Sequence, residues 1–513
     1  MGILRQRKKK KSILPKLIVL IILAWFAGGS YFSYKATKKI EKLKIPQKEV
    51  KILKTIKFFP SYTTEIENIG KIISNQNPSE KHGWLFKSSY KKILDNLLFS
   101  QYLPQFGKLT EYLSENGKKE EFAYYYGLYL FNKGEFAKAK DYLKDNSDFE
   151  KIYASGKIPV INGILDYDIN SGKYKAKYRG LKFLETVFPK NRNFLVSYTS
   201  TIKPEIQDLA ETTLGNREGF FAVARQGELL AIVANGVNPF TDYYEPGSVI
   251  KLITLTAYLS EGRKDVKFPF YCKEPLNIDG KALYDWKKHG EIPSFEEAIA
   301  CSCNLVFGEC ALSLGKSTLL KWFSKFYIDN NKKIKVCEVE FNPAKLKNEI
   351  TDRYTLAKAG IGLEIPEVSP YWLIKTASTF ARNGRDSFPT CVRFKKLLGN
   401  EKSETAVNNM TFTCDPKKDY VFDYPKVKPV YEGMFKAVEL PIGTGRRAKV
   451  EGLKIFLKTG TAGDKPLNAF VIGFAKRNNA DYSFALFLKN GGKAEYEAAQ
   501  TVKNFFNSFK NIY

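Results

Sequence analysis

The sequence predicts an α+β protein in which helices pack on an antiparallel sheet, and three observations carry that prediction. Residues 196–259 read in turn as a strand, a helix, a β-hairpin and a buried helix. Residues 453–457 and 468–475 are apolar runs on either side of a Gly- and Thr-rich stretch, the pattern of a second hairpin. Ahead of both, residues 82–146 carry helical periodicity and residues 17–34 form an uncharged apolar run. The expected order is a basic tail at 1–16, a transmembrane helix at 17–34, a mainly helical module at 35–190 and the sheet domain at 191–513.

At 513 residues the chain is too long for one ordinary domain. Its 44% hydrophobic and 14% aromatic content excludes global disorder. Lys and Arg number 82 against 54 Asp and Glu, a net charge of +28 that favours anionic partners. The lysines are spread along the whole chain with no nucleic-acid-binding signature beside them, so no nucleic-acid partner is expected. The charge reads instead as a solvated surface suited to an anionic membrane. Only His82 and His289 are present, which argues against a multi-histidine metal site and weakens any Ser-His-Asp arrangement. The cysteines, 272, 301, 303, 310, 337, 391 and 414, include no Cys-x-x-Cys pair, so a zinc ribbon has no support. Neither a metal nor a cofactor is expected.

Arg5, Arg7, Lys8, Lys9, Lys10, Lys11 and Lys16 crowd the start of the chain without a single acid. The eighteen residues that follow span about 27 Å as a helix, close to a hydrocarbon core. Basic residues before the span place the N-terminus in the cytoplasm and the remainder outside. A cleaved signal peptide is the alternative, but no clean Ala-x-Ala site precedes Ser30, which favours a retained anchor. Disulfides are then permitted, and an odd cysteine count leaves at least one thiol unpaired within the chain. Residues 35–57 read as a lysine-rich stalk or first helix. In 122–143, Gly127, Leu130, Gly134, Phe136, Ala139 and Leu143 fall at the spacing of a tetratricopeptide unit. Only one copy is convincing, so a peptide-binding module is weighed against a plain helical hairpin that acts as a spacer.

From residue 196 the chemistry concentrates. Pro246 and Gly247 mark a turn, and the apolar run behind them places Ser248 at the first turn of a buried helix, among N–H groups with no helical partner. Lys251, three residues on, shares its face, setting a nucleophile beside a base. Taken alone, the pair reads more readily as a helix cap and a solvated lysine. Ser302 and Asn304 follow a short helix at 295–300 and face one side of an extended loop, suited to proton relay and to holding a substrate amide, or simply to capping. The strand at 453–457 runs into Lys458-Thr459-Gly460-Thr461. Gly460 admits close approach of a backbone or ligand, and Lys458 with the threonine hydroxyls suits a carboxylate. An edge strand guarded by a lysine is the plain alternative.

In that order, Ser248-x-x-Lys251, Ser302-x-Asn304 and Lys458-Thr459-Gly460 are the signature set of penicillin-binding proteins and serine β-lactamases. From residue 196 to its end the chain resembles a penicillin-binding protein transpeptidase domain. Glu245-Pro246-Gly247-Ser248, His289-Gly290, Gly360-Ile361-Gly362, Ser369-Pro370, Ala381-Arg382-Asn383-Gly384 and Gly443-Thr444-Gly445 extend the resemblance. The resemblance implies acyl transfer on peptidoglycan stem peptides and sensitivity to β-lactams. Ser248 would be the nucleophile, Lys251 its base under a pKa depressed by nearby positive groups, and Ser302 the proton relay. Asn304 would orient the substrate amide, while Lys458, Thr459 and Thr461 would bind its carboxylate. The backbone N–H groups of Ser248 and Thr461 would form the oxyanion hole.

No acidic glycosyltransferase motifs precede this domain, so the chain is similar to the class B type, which implies a separate membrane glycosyltransferase as partner. Residues 163–173 bear a weak similarity to one class B pedestal motif. A β-lactamase is an alternative, since Glu338 to Asn342 resembles the acidic loop of class A enzymes. A D,D-carboxypeptidase and a non-catalytic β-lactam sensor are others. Among the cysteines, Cys272 is expected to pair with Cys301 or Cys303, and Cys391 with Cys414; buried free thiols are the alternative.

Overall fold

The computed structural model describes residues 103–512 apart from 119, 121, 189–192, 274, 338, 399–404, 407–419 and 479, with isolated positions between 69 and 98. The basic tail, the expected span at 17–34, the stalk, His82 and Cys414 lie outside the described residues. Among the described residues no helix is long and apolar enough to cross a membrane. Two units separate, Met1–Ser155 with Asn193–Leu195 and Leu397–Gly399, and Gly156–Arg192 with Val196–Lys396 and Asn400–Tyr513.

The first unit contains α1 (Leu103–Leu113), α2 (Ala123–Asn132), α3 (Phe136–Leu143) and α4 (Ser147–Ser155). Helices α2 and α3 form the hairpin expected at 122–143. Gly134, at φ 81°, makes the turn between them. A Cβ on Gly127 would lie 2.6 Å from Tyr142 Cβ, so glycine is what lets the two helices close. Phe131 fills the interior, with ring centroids 5.1 Å from Phe136 and 4.9 Å from Phe149.

Residues 157–176, expected within the helical module, instead form strands β1 (Lys157–Ile161), β2 (Leu165–Asp168) and β3 (Lys173–Ala176). They join β4 (Val196–Ser200) and strands Val392–Leu397 and Thr405–Ala406 in a six-stranded sheet. The expected boundary at 190 therefore falls inside the second unit. Each of these strands is four or five residues long, too short for alternation to outweigh a helical reading, and Gly163 and Gly172 turn the chain at positive φ between them.

The main sheet of the second unit has five antiparallel strands in the order β7-β8-β9-β5-β6. These are β5 (Gly219–Arg225), β6 (Glu228–Asn235), β7 (Lys454–Ala462), β8 (Asn468–Arg477) and β9 (Ala480–Leu488). Both hairpins expected from the sequence are present. Gln226 and Gly227 turn the first at φ 52° and 85°, the mirror-image turn that suits the twist of paired strands. Strand β8 is buried on both faces over most of its length, so it reads as a continuous apolar run rather than an alternating one. Helices α5 (Pro204–Leu214) and α11 (Glu497–Ile512) cover one face. The other is covered by α9 (Pro370–Ala381) and α10 (Lys428–Glu439), with α6 (Lys251–Ser260), α7 (Phe295–Cys301) and α8 (Asn304–Lys325) alongside. The result is an α+β fold with its sheet between helical layers. Cys391, expected to pair with Cys414, is bonded to Cys337, with Cα atoms 5.7 Å apart. Cys272, Cys301 and Cys303 carry free, buried thiols instead of the expected bridge. Both outcomes depend on tertiary placement across long loops, which cysteine spacing does not encode.

Helix α11 buries Val502, Phe505, Phe506 and Phe509 against the sheet, with Phe505 4.8 Å from Phe221. Phe505→Ala is expected to destabilise the second unit by about 3–5 kcal/mol, and Ser508→Ala on the exposed face by under about 0.5 kcal/mol, both read from thermal unfolding.

Candidate active site

The turn carrying Ser248 is held by backbone contacts before any side chain acts. Tyr244 bridges Val368, and Gly247 N–H donates to the Gly362 carbonyl at 3.0 Å. Gly247 has φ 55°, and a Cβ there would lie 2.7 Å from the Thr461 carbonyl oxygen. A Cβ on Gly362 would fall 2.0 Å from the Gly247 carbonyl oxygen. Only glycines allow this approach. Gly247–Ile250 consequently forms a tight 3-10 turn, with the α-helix proper beginning at Lys251. Ser248, expected in the first α-turn, lies half-buried in that 3-10 turn, and Lys251 is fully buried.

Ser302 and Asn304, expected on an extended loop, occupy the break between α7 and α8. Ser302 caps α7 in the left-handed conformation at φ 60° and ψ 41°, Cys303 is extended, and Asn304 opens α8. The reversal still turns both side chains to Lys251, whose Nζ donates to Asn304 Oδ1 at 2.7 Å, the Ser302 carbonyl at 2.6 Å and Ser302 Oγ at 3.3 Å. Asn304 Nδ2 donates to the Tyr284 carbonyl at 3.1 Å.

Lys458 reaches the same hydroxyl from the sheet. Its Nζ donates to Ser302 Oγ at 2.7 Å and to the Thr459 carbonyl at 2.9 Å. Thr459 Oγ1 bonds Thr444 Oγ1 at 2.7 Å, tying β7 to the Gly443-Thr444-Gly445 turn. Thr461 lines the cleft and accepts the Ala494 N–H at 3.1 Å. Strand β7 is the edge of its sheet, and its free side faces the Ser248 turn. A Cβ on Gly460 would lie 2.7 Å from the Pro246 carbonyl oxygen. The close approach expected at Gly460 is therefore made by the nucleophile turn's own backbone.

Burial pulls the Lys251 ammonium down to about 8, opposed by the Asp285 carboxylate and by Cys303, Cys301 and Cys272. Nearby positive groups, expected to cause this shift, are not its source. For Lys458, burial comes first and the Lys251 charge second, and both hold it well below the ordinary lysine value. Two cations sharing one hydroxyl favour a state in which one of them gives up its proton.

Ser248, Ser302, Asn304, Thr459, Gly460 and Thr461 line one cleft of about 250 Å³. Trp286, Ile361, Leu363, Leu467, Lys493 and Glu495 complete its walls. Apart from Ile361, which the Gly360-Ile361-Gly362 match includes, none of these lies in a recognisable spacing. Trp286, whose Nε1 donates to the Cys301 carbonyl at 3.2 Å, was visible only as an aromatic in a polar loop. Of the acidic segment at 338–342, Glu338 lies outside the described residues. Glu340 is exposed on strand Val339–Phe341, 3.9 Å from Lys333, and is not among the cleft-lining residues.

Residues 219–509 match the family model for the penicillin binding protein transpeptidase domain. The chain is 27% identical over 291 residues to stage V sporulation protein D of Bacillus subtilis, covering 51% of this chain and 43% of that protein. It is 27% identical over 266 residues to peptidoglycan D,D-transpeptidase PbpA of Mycolicibacterium smegmatis, covering 49% and 51%. The match thus spans about half the length of these curated relatives. The fold is similar to Pseudomonas aeruginosa PBP2 in complex with WCK 5153, with TM-score 0.53, 20% identity, and 61% and 76% of the two chains covered. It is also similar to a D,D-transpeptidase domain from Eggerthella lenta, with TM-score 0.56, 17% identity, and 70% and 99% covered.

Gly460→Ala forces β7 away from the Pro246 carbonyl. The expected cost is about 1–3 kcal/mol, measured as a shift in the urea midpoint at unchanged m-value.

Proposed function

The chain belongs to the penicillin-binding protein transpeptidase family, and on that premise we propose that it is a penicillin-sensitive peptidoglycan D,D-transpeptidase of the class B type. One observation carries the reading. The buried ammonium groups of Lys251 and Lys458 converge on Ser302 Oγ, at 3.3 and 2.7 Å, in the cleft that Ser248 lines.

Ser248 Oγ attacks the penultimate D-Ala carbonyl of a stem peptide and forms an ester as the peptide C–N bond breaks. Neutral Lys251 takes the serine proton. Ser302, bonded to both lysines, returns a proton to the departing D-Ala amine. Asn304 orients the substrate amide, and Lys458 with Thr459 and Thr461 holds the terminal carboxylate. The N–H groups of Ser248 and Thr461 stabilise the developing oxyanion, an effect worth about 3 kcal/mol per donor. An acceptor amine of a second stem then attacks the ester, forming the cross-link and freeing Ser248. A β-lactam acylates Ser248 through its strained amide. Glu340, exposed and not among the cleft-lining residues, favours a slowly hydrolysed penicilloyl-enzyme over a β-lactamase. The basic tail and the apolar run at 17–34 support a single-pass anchor in the cytoplasmic membrane. In this reading the catalytic domain lies outside, beside a separate glycosyltransferase.

Fluorescent penicillin is expected to label the chain, and Ser248→Ala to abolish labelling; label that survives the substitution would defeat the assignment. Acylation is expected to speed up with pH and level off above about 8, because only neutral Lys251 accepts the proton. The groups facing that amine are Asp285, Cys303, Cys301 and Cys272, with Lys458 across Ser302. Lys251→Met is expected to slow acylation by about 10²–10⁴-fold and remove that limb of the profile. With peptidoglycan precursor, dimeric products are expected; trimmed monomers alone would make it a carboxypeptidase.

A further inference from the structure

Four metal-ligand side chains meet behind the Ser302 turn, outside the cleft lining. Cys272 ends strand Phe270–Cys272, which pairs with Gly290–Ile292. Asp285 and His289 lie in the segment between those strands, and Cys303 joins α7 to α8. Cys272 Sγ is 3.1 Å from Asp285 Oδ2 and 3.6 Å from His289 Nδ1, and His289 Nδ1 is 3.2 Å from Asp285 Oδ2. With Cys303 Sγ, the four atoms lie within 4.8 Å of one another. All four side chains are more than nine-tenths buried, with Cys272 and Cys303 at 1% and 0% exposure and His289 and Asp285 at 7% and 5%.

We propose that Cys272, Asp285, His289 and Cys303 form a tetrahedral zinc site that fixes the Ser302–Asn304 turn. Two thiolates, an imidazole and a carboxylate are the donor set that a borderline-soft dication takes in closed, four-coordinate sites. A zinc tetrahedron with these ligands has edges of about 3.3–3.8 Å. The three separations among Cys272, Asp285 and His289 already lie near that range, and Cys303 Sγ lies within 4.8 Å of all three.

The site's value lies in what its ligands touch. Asp285 presents Oδ2 to the cluster, while its Oδ1 accepts N–H groups from Asn304 at 3.0 Å and Trp286 at 2.8 Å. Cys303 stands between the residue that receives Lys458 and the residue that receives Lys251. A metal on these ligands clamps the left-handed Ser302 turn from behind. The four ligands are positioning residues, and with all four places filled the metal has no open position for substrate.

The test uses the full-length chain purified under reducing conditions without added chelator. About one zinc per chain is expected, falling to near zero in Cys272→Ser and in Cys303→Ser but retained in Cys310→Ala, a buried cysteine outside the cluster. Cobalt replacement of the wild-type metal is expected to give a thiolate-to-cobalt charge-transfer band, a readout independent of whether any variant folds. Stripping the metal is expected to slow penicillin acylation at least about tenfold, reversibly on zinc addition. Metal content and cobalt spectrum do not depend on the transpeptidase reading, so the two can fail separately. A metal-free chain with no cobalt–thiolate band, full zinc in both serine variants, or a Cys272–Cys303 disulfide would each overturn the site.

Discussion

Two fully buried lysines bonded to one serine hydroxyl set the terms for the rest of the second unit. An ammonium taken out of water must find fixed acceptors or lose its charge. Lys251 finds the Ser302 carbonyl and Asn304, and Lys458 finds the Thr459 carbonyl. These acceptors belong to two structural layers, the break between α7 and α8 for Lys251 and the edge of the sheet for Lys458. Neither layer can shift without stranding a cation, so the acid–base apparatus also holds the helices against the strand.

Backbone contacts do the complementary work where no side chain fits. Gly247, Gly362 and Gly460 bring the Ser248 turn, the segment after Gly360 and strand β7 together at separations a methyl group would forbid. The cleft is therefore walled by main chain on the nucleophile side and by Trp286, Ile361 and Leu363 elsewhere. Such a site is rigid where bonds change and apolar where a substrate rests.

Much of this was legible in the sequence, for identifiable reasons. Ser248, Lys251, Ser302, Asn304 and the 458–461 segment carry local spacings set by one helix, one reversal and one strand, and local geometry survives in sequence. Both hairpins were visible because paired apolar runs flank turn residues such as Gln226-Gly227. Strands at 157–176 were hidden by their shortness, and β9 and α11 passed without notice in a mixed polar and apolar tail. Asp285, Trp286 and Lys493 were not visible because they reach the site through loops whose course only tertiary packing determines. The Cys337–Cys391 bond joins positions 54 residues apart and was out of reach for the same reason.

The strand order of the central sheet has a consequence for how the chain acquires its structure. Strand β5 is made well before one of its two neighbours, β9, which lies more than 250 residues further along. A chain that emerges N-terminus first therefore presents β5 with one row of backbone N–H and C=O groups unpaired until β9 is synthesised. Such non-local closure folds slowly, and the exposed β5 edge must be kept from pairing with another copy in the meantime. Assembly of the nucleophile turn waits on the same event, because β7 joins the sheet only through β8 and β9. The catalytic arrangement is thus among the last things to form, and a chain interrupted before residue 480 carries every residue of the three motifs but leaves the hairpins β5–β6 and β7–β8 unjoined.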